Sequence, residues 1–120
     1  MTEDGRIISW GDEYKGQLGT IPVGSKWDHT YGLQPLPKPA VMPDGVSAAK
    51  IVAGAHHSSF LSTDGRLYTW GVGSDGRLGH PEFEGHVYKY HESRPKLVQA
   101  LQDRVVDVTS SYYHMTVVCR

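Results

Sequence analysis

Asp64-Gly65-Arg66-Leu67-Tyr68-Thr69-Trp70-Gly71 repeats Asp4-Gly5-Arg6-Ile7-Ile8-Ser9-Trp10-Gly11 at a shift of 60 positions, from residue 4 to residue 64. Gly76-Arg77-Leu78-Gly79 repeats Gly16-Gln17-Leu18-Gly19 at the same shift. Gly5, Trp10, Gly11, Gly16 and Gly19 thus superpose without a gap on Gly65, Trp70, Gly71, Gly76 and Gly79. Self-similarity at one fixed period marks a repeat architecture, whose units cannot bury their apolar faces alone. The rest of the unit repeats more loosely. Ile51-Val52-Ala53-Gly54-Ala55-His56-His57 aligns with Val108-Thr109-Ser110-Ser111-Tyr112-Tyr113-His114 at a shift of 57, a loop absorbing the three-residue difference. The segment 1–120 therefore divides into a first repeat, 4–63, and a second, 64–120.

Working outward, Ala49 to Ala55 and Ser58 to Ser62 read as short strands joined near His56-His57. Thr63-Asp64-Gly65-Arg66 supplies a hairpin turn, since Asp-Gly accepts the positive φ angles a tight turn needs. Arg66 to Val72 is the next strand. Leu67 and Thr69 point to one face and Tyr68 and Trp70 to the other, and apolar groups on both faces call for neighbours on both sides. Pro95 to Leu101 reads as a short outer strand, with the proline tolerated at its start. Four antiparallel strands in a unit of this length describe a β-propeller blade, and the fold class is all-β. The chain holds one whole blade, roughly Ser47 to Leu101, between an outer half blade at 5–45 and an inner half blade at 103–120. Two readings stand. The complementary halves join head to tail between copies, closing a ring with an even number of blades, such as six from three copies, or the chain is part of a longer propeller.

The series Asp-Gly-x-x-x-x-Trp-Gly, Gly-x-Leu-Gly, a Pro-initiated strand and Ile-Val-Ala-Gly-x-x-His-Ser resembles the regulator of chromosome condensation repeat. That resemblance implies a propeller, in that family usually of seven blades. It also implies partners: some members act as guanine-nucleotide exchange factors for a small GTPase through a loop protruding from the ring, and others contact chromatin. This sequence departs from the pattern in having two repeat lengths, and in the long stretches after Gly19 and Gly79.

Composition narrows the function classes. Lys+Arg 12 against Asp+Glu 13 leaves a net charge of -1 and no overall field to draw the chain onto nucleic acid. No apolar run is long enough to span a bilayer, and the first residues lack the pattern of a signal peptide, so an intracellular protein, cytoplasmic or nuclear, is expected. Cys119, the one cysteine, sits in the apolar run Val117-Val118-Cys119 and reads as a small core residue.

No catalytic, cofactor or metal site is expected. Gly71-Val72-Gly73-Ser74-Asp75-Gly76 matches a dinucleotide-binding turn, but Arg77-Leu78-Gly79-His80-Pro81 cannot open the helix such a turn requires. Gly71 and Gly76 recur as Gly11 and Gly16, which makes them blade architecture. His80, His86 and His91, with Glu84 or Cys119, match no zinc-ligand spacing. His57 and His114 occupy equivalent positions, and a fold-building hydrogen bond fits them better than catalysis, since no acid recurs to complete a triad.

Binding residues concentrate in segments that connect a rigid scaffold. Residues 20–38 hold Trp27, His29 and Tyr31, and residues 80–94 hold Phe83, Tyr88, Tyr90 and Arg94. Aromatic and Arg side chains dominate binding energy at protein interfaces. Either they meet a partner or they pack the segments onto the blade. The leading expectation is a protein-interaction module. Nucleotide exchange on a small GTPase is the alternative, and chromatin contact a third reading that the balanced charge disfavours.

Overall fold

The computed structural model describes residues 1–12, 18–19, 33–72, 79, 91–101, 103–112 and 114–120. Among them are eight strands: β1 (Ile8–Asp12), β2 (Leu33–Pro39), β3 (Ala48–Ala53), β4 (His57–Ser62), β5 (Leu67–Val72), β6 (His91–Leu97), β7 (Val105–Ser110) and β8 (Met115–Cys119). They form a two-stranded sheet β1-β2, a four-stranded sheet β3-β4-β5-β6 and a two-stranded sheet β7-β8, all with antiparallel pairing. The fold is all-β, a partial propeller of one whole blade between two half blades.

The Asp-Gly turns fix the blades and also join them. Gly65 holds φ 85°, and a side chain there would put its Cβ 2.4 Å from Arg104 Cγ. The turn is tied by the Ser62 hydroxyl, which accepts the Arg66 N–H at 2.9 Å and contacts the Asp64 carboxylate. Thr2 makes the same bond to the Arg6 N–H, at 3.0 Å, sixty positions earlier. The carbonyl of Gly65 accepts the Val105 N–H at 2.8 Å, and that of Gly5 accepts the Ala48 N–H at 2.8 Å. Each hairpin turn is thereby stitched to the first strand of the following blade.

The two faces of the whole blade carry separate cores. Ala48, Phe60, Tyr68 and Trp70 pack toward Ile7 and Ala40 of the preceding half blade. Leu61, Leu67 and Val98 pack toward Val105 and Val108 of the following one. Strand β5 is buried along its whole length, as neighbours on both sides demand. In the first core Phe60 stacks on Tyr68 at 4.7 Å between ring centroids and meets Trp70 edge-on at 6.0 Å. Such pairs add about 0.5–1.5 kcal/mol beyond the area they bury.

Three expectations are corrected. The outer strand of the whole blade runs over His91–Leu97, with Pro95 buried inside it instead of starting it. The Val98 N–H donates to Leu67, so alternate residues before it also face β5 and Pro95 turns its missing donor away from the sheet. Residues 33–38 and 91–94, read from sequence as connecting segments, are likewise strand. In β2 the Ala40 N–H donates to Ile7 and Lys38 pairs with Ser9, so Pro39 and Pro37 on either side of Lys38 turn their missing donors to the free side, ahead of the register shift that Pro35 falls in. Finally, Cys119 is exposed and not a core residue, because it ends β8, whose only sheet neighbour among the described residues is β7.

Candidate binding site

Six of the seven side chains nominated for partner contact, Trp27, His29, Tyr31, Phe83, Tyr88 and Tyr90, lie outside the described residues, as do Gly16, Gly76, His80, Glu84 and His86. Arg94 is described, half-buried in β6. The strands nevertheless fix where the nominated stretches are anchored. One leaves the end of β1 and returns at the start of β2, where Asp12 pairs with Leu33. The other leaves β5 and returns at β6, where Val72 pairs with His91. Both are therefore rooted at the same rim of the propeller section, one blade apart.

Sequence reasoning missed a groove between the first half blade and the whole blade, with a volume of about 600 Å³. Ile7, Ser9 and Trp10 of the β1 region form one wall, and Ile51, Ala53 and Ser58 of β3 and β4 form the other. Trp10 is 59% exposed and Ile51 42% exposed, although their repeat equivalents Trp70 and Val108 are 2% and 1% exposed. At the opposite end Val118 is 55% exposed, where its equivalent Leu61 is 7%. These side chains have the chemistry of seam residues, and no described residue covers them. No single position announces this in the sequence; the signal lies in the phase of the repeat, which gives this segment the outer strands of one blade and the inner strands of another.

The glycines follow the same division. Gly71 holds φ 104°, and a Cβ there would lie 2.6 Å from the His56 carbonyl oxygen. Gly11 holds φ 116°, and a Cβ there would meet none of the described residues within 4 Å. Gly19 lies against the Trp70 indole, where a Cβ would stand 2.7 Å from Nε1, and Gly79 lies against Val98. Gly54 leaves room for the buried His57 ring, which a Cβ would meet at 2.1 Å. His57 Nε2 reaches Ser110 Oγ of the next half blade at 2.9 Å. In the second repeat Ser111 stands where Gly54 does, so a Cβ occupies the space that ring requires, and His114 is exposed.

Charge on the seam is local. Lys50 Nζ lies 2.5 Å from Asp107 Oδ1, linking β3 to β7. That hydrogen bond, with another from the Val108 N–H, holds the Asp107 carboxyl below the usual aspartate range. Both side chains are about half exposed, so the pair orients the strands more than it stabilises them. Burial pushes the Tyr68 phenol upward, which keeps it neutral. Among the described residues no group of His, Cys, Asp and Glu is placed to hold a metal ion, and no helix is long and apolar enough to cross a membrane.

Comparison with known proteins matches the sequence to the regulator of chromosome condensation (RCC1) repeat, at residues 4–61 and 64–118 with one model of the repeat and at 48–77 with a second. The chain is 36% identical over 111 residues to the human E3 ubiquitin-protein ligase HERC2, covering 90% of this chain and 2% of that protein. It is 34% identical over 96 residues to guanine nucleotide exchange factor SRM1 of Saccharomyces cerevisiae, covering 80% and 19% respectively. It superposes on the crystal structure of Prp20p from Saccharomyces cerevisiae, described with its binding to Gsp1p and histones, with TM-score 0.82 and 27% identity over 100% of this chain and 28% of that one. The chain thus spans about a quarter or less of each of these relatives.

Proposed function

Because the chain belongs to the regulator of chromosome condensation (RCC1) repeat family, we propose that it works as a protein-interaction section of a propeller, binding a macromolecular partner at the rim where its two long stretches are rooted. The observation that carries this reading is the equivalent anchoring of those stretches, one between β1 and β2 and the other between β5 and β6. Trp27, His29 and Tyr31 in the first stretch, and Phe83, Tyr88, Tyr90 and Arg94 in or after the second, would present one composite surface. A stiff antiparallel blade under each anchor lowers the ordering cost of binding. The reading needs no cofactor and no catalytic group, and it places the chain in a cytoplasmic or nuclear setting, in keeping with the histone binding described for Prp20p.

A second reading, nucleotide exchange on a small GTPase, is favoured by the similarity to SRM1. The two are separable in one experiment. Immobilised chain is presented with histone octamers and with small GTPases carrying fluorescent GDP, and both capture and nucleotide release are followed. Capture that is lost in Trp27→Ala or Tyr88→Ala, with unchanged nucleotide release, supports an interaction module. Accelerated release supports exchange. Capture that neither substitution weakens removes these stretches as the binding surface. Binding to a DNA duplex is expected to vanish near physiological salt, as it does for weak, purely electrostatic contacts.

A further inference from the structure

All seven histidines fall in four segments rooted at one rim. His29 belongs to the stretch between β1 and β2, and His80, His86 and His91 to the stretch that leaves β5 and opens β6. His56 lies in the turn from β3 to β4 and His57 opens β4; the His56 carbonyl accepts the Val72 N–H at 2.9 Å, just where the second stretch departs. His114 ends the equivalent turn from β7 to β8, its carbonyl accepting the Ser111 N–H at 2.9 Å as that of His57 accepts the Gly54 N–H at 2.8 Å. The opposite rim, built from the Asp-Gly turns and the links to the following blades, holds no histidine. Its charges are those of aspartate, glutamate and arginine, with Arg6 3.2 Å from Asp4 and Arg66 3.7 Å from Asp64.

Resting on the rim reading above, we propose that binding there is switched by pH: the rim holds a cationic protein segment at neutral pH and releases it on mild acidification. Histidine is the side chain whose ordinary charge change falls between pH 5 and 8. With the histidines neutral, residues 12–33 and 72–94 carry seven acidic groups against five basic ones. The aromatic side chains among them offer ring faces that attract lysine and arginine. Such a composition suits a segment rich in those two residues.

Six histidines can reverse that balance. His57 is set apart, 1% exposed with its Nε2 2.9 Å from Ser110 Oγ. His56 is exposed, and so is His114, since the Cβ of Ser111 takes the space that Gly54 leaves for the His57 ring. The charged groups on the elements around these two turns are Lys50 on β3 and Asp107 on β7, which hold each other at 2.5 Å, Asp12 at the end of β1, and Asp75 and Arg77 beyond β5 in sequence. Neither His56 nor His114 joins an ion pair among the described residues. An excess of two negative charges becomes a positive excess once three of the six are protonated. The opposite rim keeps its charge through the same range, and a hydrogen bond from Thr2, with Arg6 beside it, holds the Asp4 carboxyl below the usual aspartate range.

The test immobilises the chain and presents a histidine-free lysine-arginine peptide and, in parallel, histone octamers, at pH 7.5, 6.5 and 5.5 and constant low salt. Capture is expected to fall about tenfold or more by pH 5.5, the scale set by several unit charges within one Debye length, while the β-sheet circular dichroism is kept. Joint replacement of His56, His80, His86, His91 and His114 by Gln should bring the ratio of capture at the two ends of the range toward one. Capture that Trp27→Ala weakens and that is equal at pH 7.5 and 5.5, or stronger at 5.5, would overturn the switch and leave the rim as the binding surface. A ratio that survives the Gln replacements would overturn it as well. No capture of either probe at any pH would overturn the cationic partner and with it the switch, while the rim itself is judged by the small-GTPase capture above.

Discussion

Trp10 and Trp70 stand at equivalent positions of two repeats, on strands that follow the same Asp-Gly turn, and differ in exposure from 59% to 2%. The same residue in the same local structure is surface in one and core in the other. What differs is the neighbour: Trp70 has Ile7 and Ala40 in its cluster and Gly19 against its indole, whereas the strands that would play those parts for Trp10 precede β1 around the ring. In a repeat fold, local sequence sets the shape of a blade, and adjacency sets the energy of each side chain.

The contrast can be broken most forcefully at the ring itself. Trp70→Ala, or Phe60→Ala, should cost about 3–5 kcal/mol in urea denaturation, the usual penalty for emptying a packed aromatic site. Trp10→Ala in a single copy should stay within about 0.5 kcal/mol. Equal costs would mean that Trp10 is covered in solution, and would move the question to what covers it. A finer probe uses the glycines. Gly71→Ala meets both an unfavourable φ and the His56 carbonyl and is expected to cost more than about 2 kcal/mol, while Gly11→Ala meets only the left-handed penalty of about 1 kcal/mol. If a neighbouring blade fills the space beside Gly11, its cost should rise toward that of Gly71.

Smaller effects probe the seam. Ser110→Ala removes the hydroxyl that meets the buried His57 ring and should lower stability by about 1 kcal/mol. His114→Ala, at the exposed equivalent position, should be near neutral in the same urea denaturation. The smallest effect is expected from Asp107. Its carboxyl is held below the ordinary range by Lys50, so its contribution is present above the unfolded aspartate value and fades as pH falls through the lowered folded one. An acid titration of the melting temperature should show a shallow loss below about pH 4 that Asp107→Asn abolishes and added salt weakens.

Much of this arrangement was legible before any coordinates. The Asp-Gly and Trp-Gly pairs set the phase of the repeat and located the whole blade between two halves, and the two-faced pattern of Leu67 to Trp70 announced neighbours on both sides. The strands β2 and β6 were legible only in part. Their prolines read as strand starts or loop residues because a sequence does not reveal which side of an edge strand is free, and the missing donors of Pro37, Pro39 and Pro95 fall on that side. Cys119 misled because an apolar run implies burial only where something lies opposite. The groove escaped notice for the same reason: Trp10, Ile51 and Val118 look like ordinary core residues until the partner of each is found on a different half blade. The functional reading of the aromatic stretches rested on residue type and on their place between strands, and the structure adds where they are anchored.

The prolines of β2 have one further consequence. With no N–H to offer at Pro37 and Pro39, the outer edge of β2 is a poor template for another strand, and the β1-β2 sheet is blunted on its outside against the lateral pairing that leads exposed sheets toward fibrils.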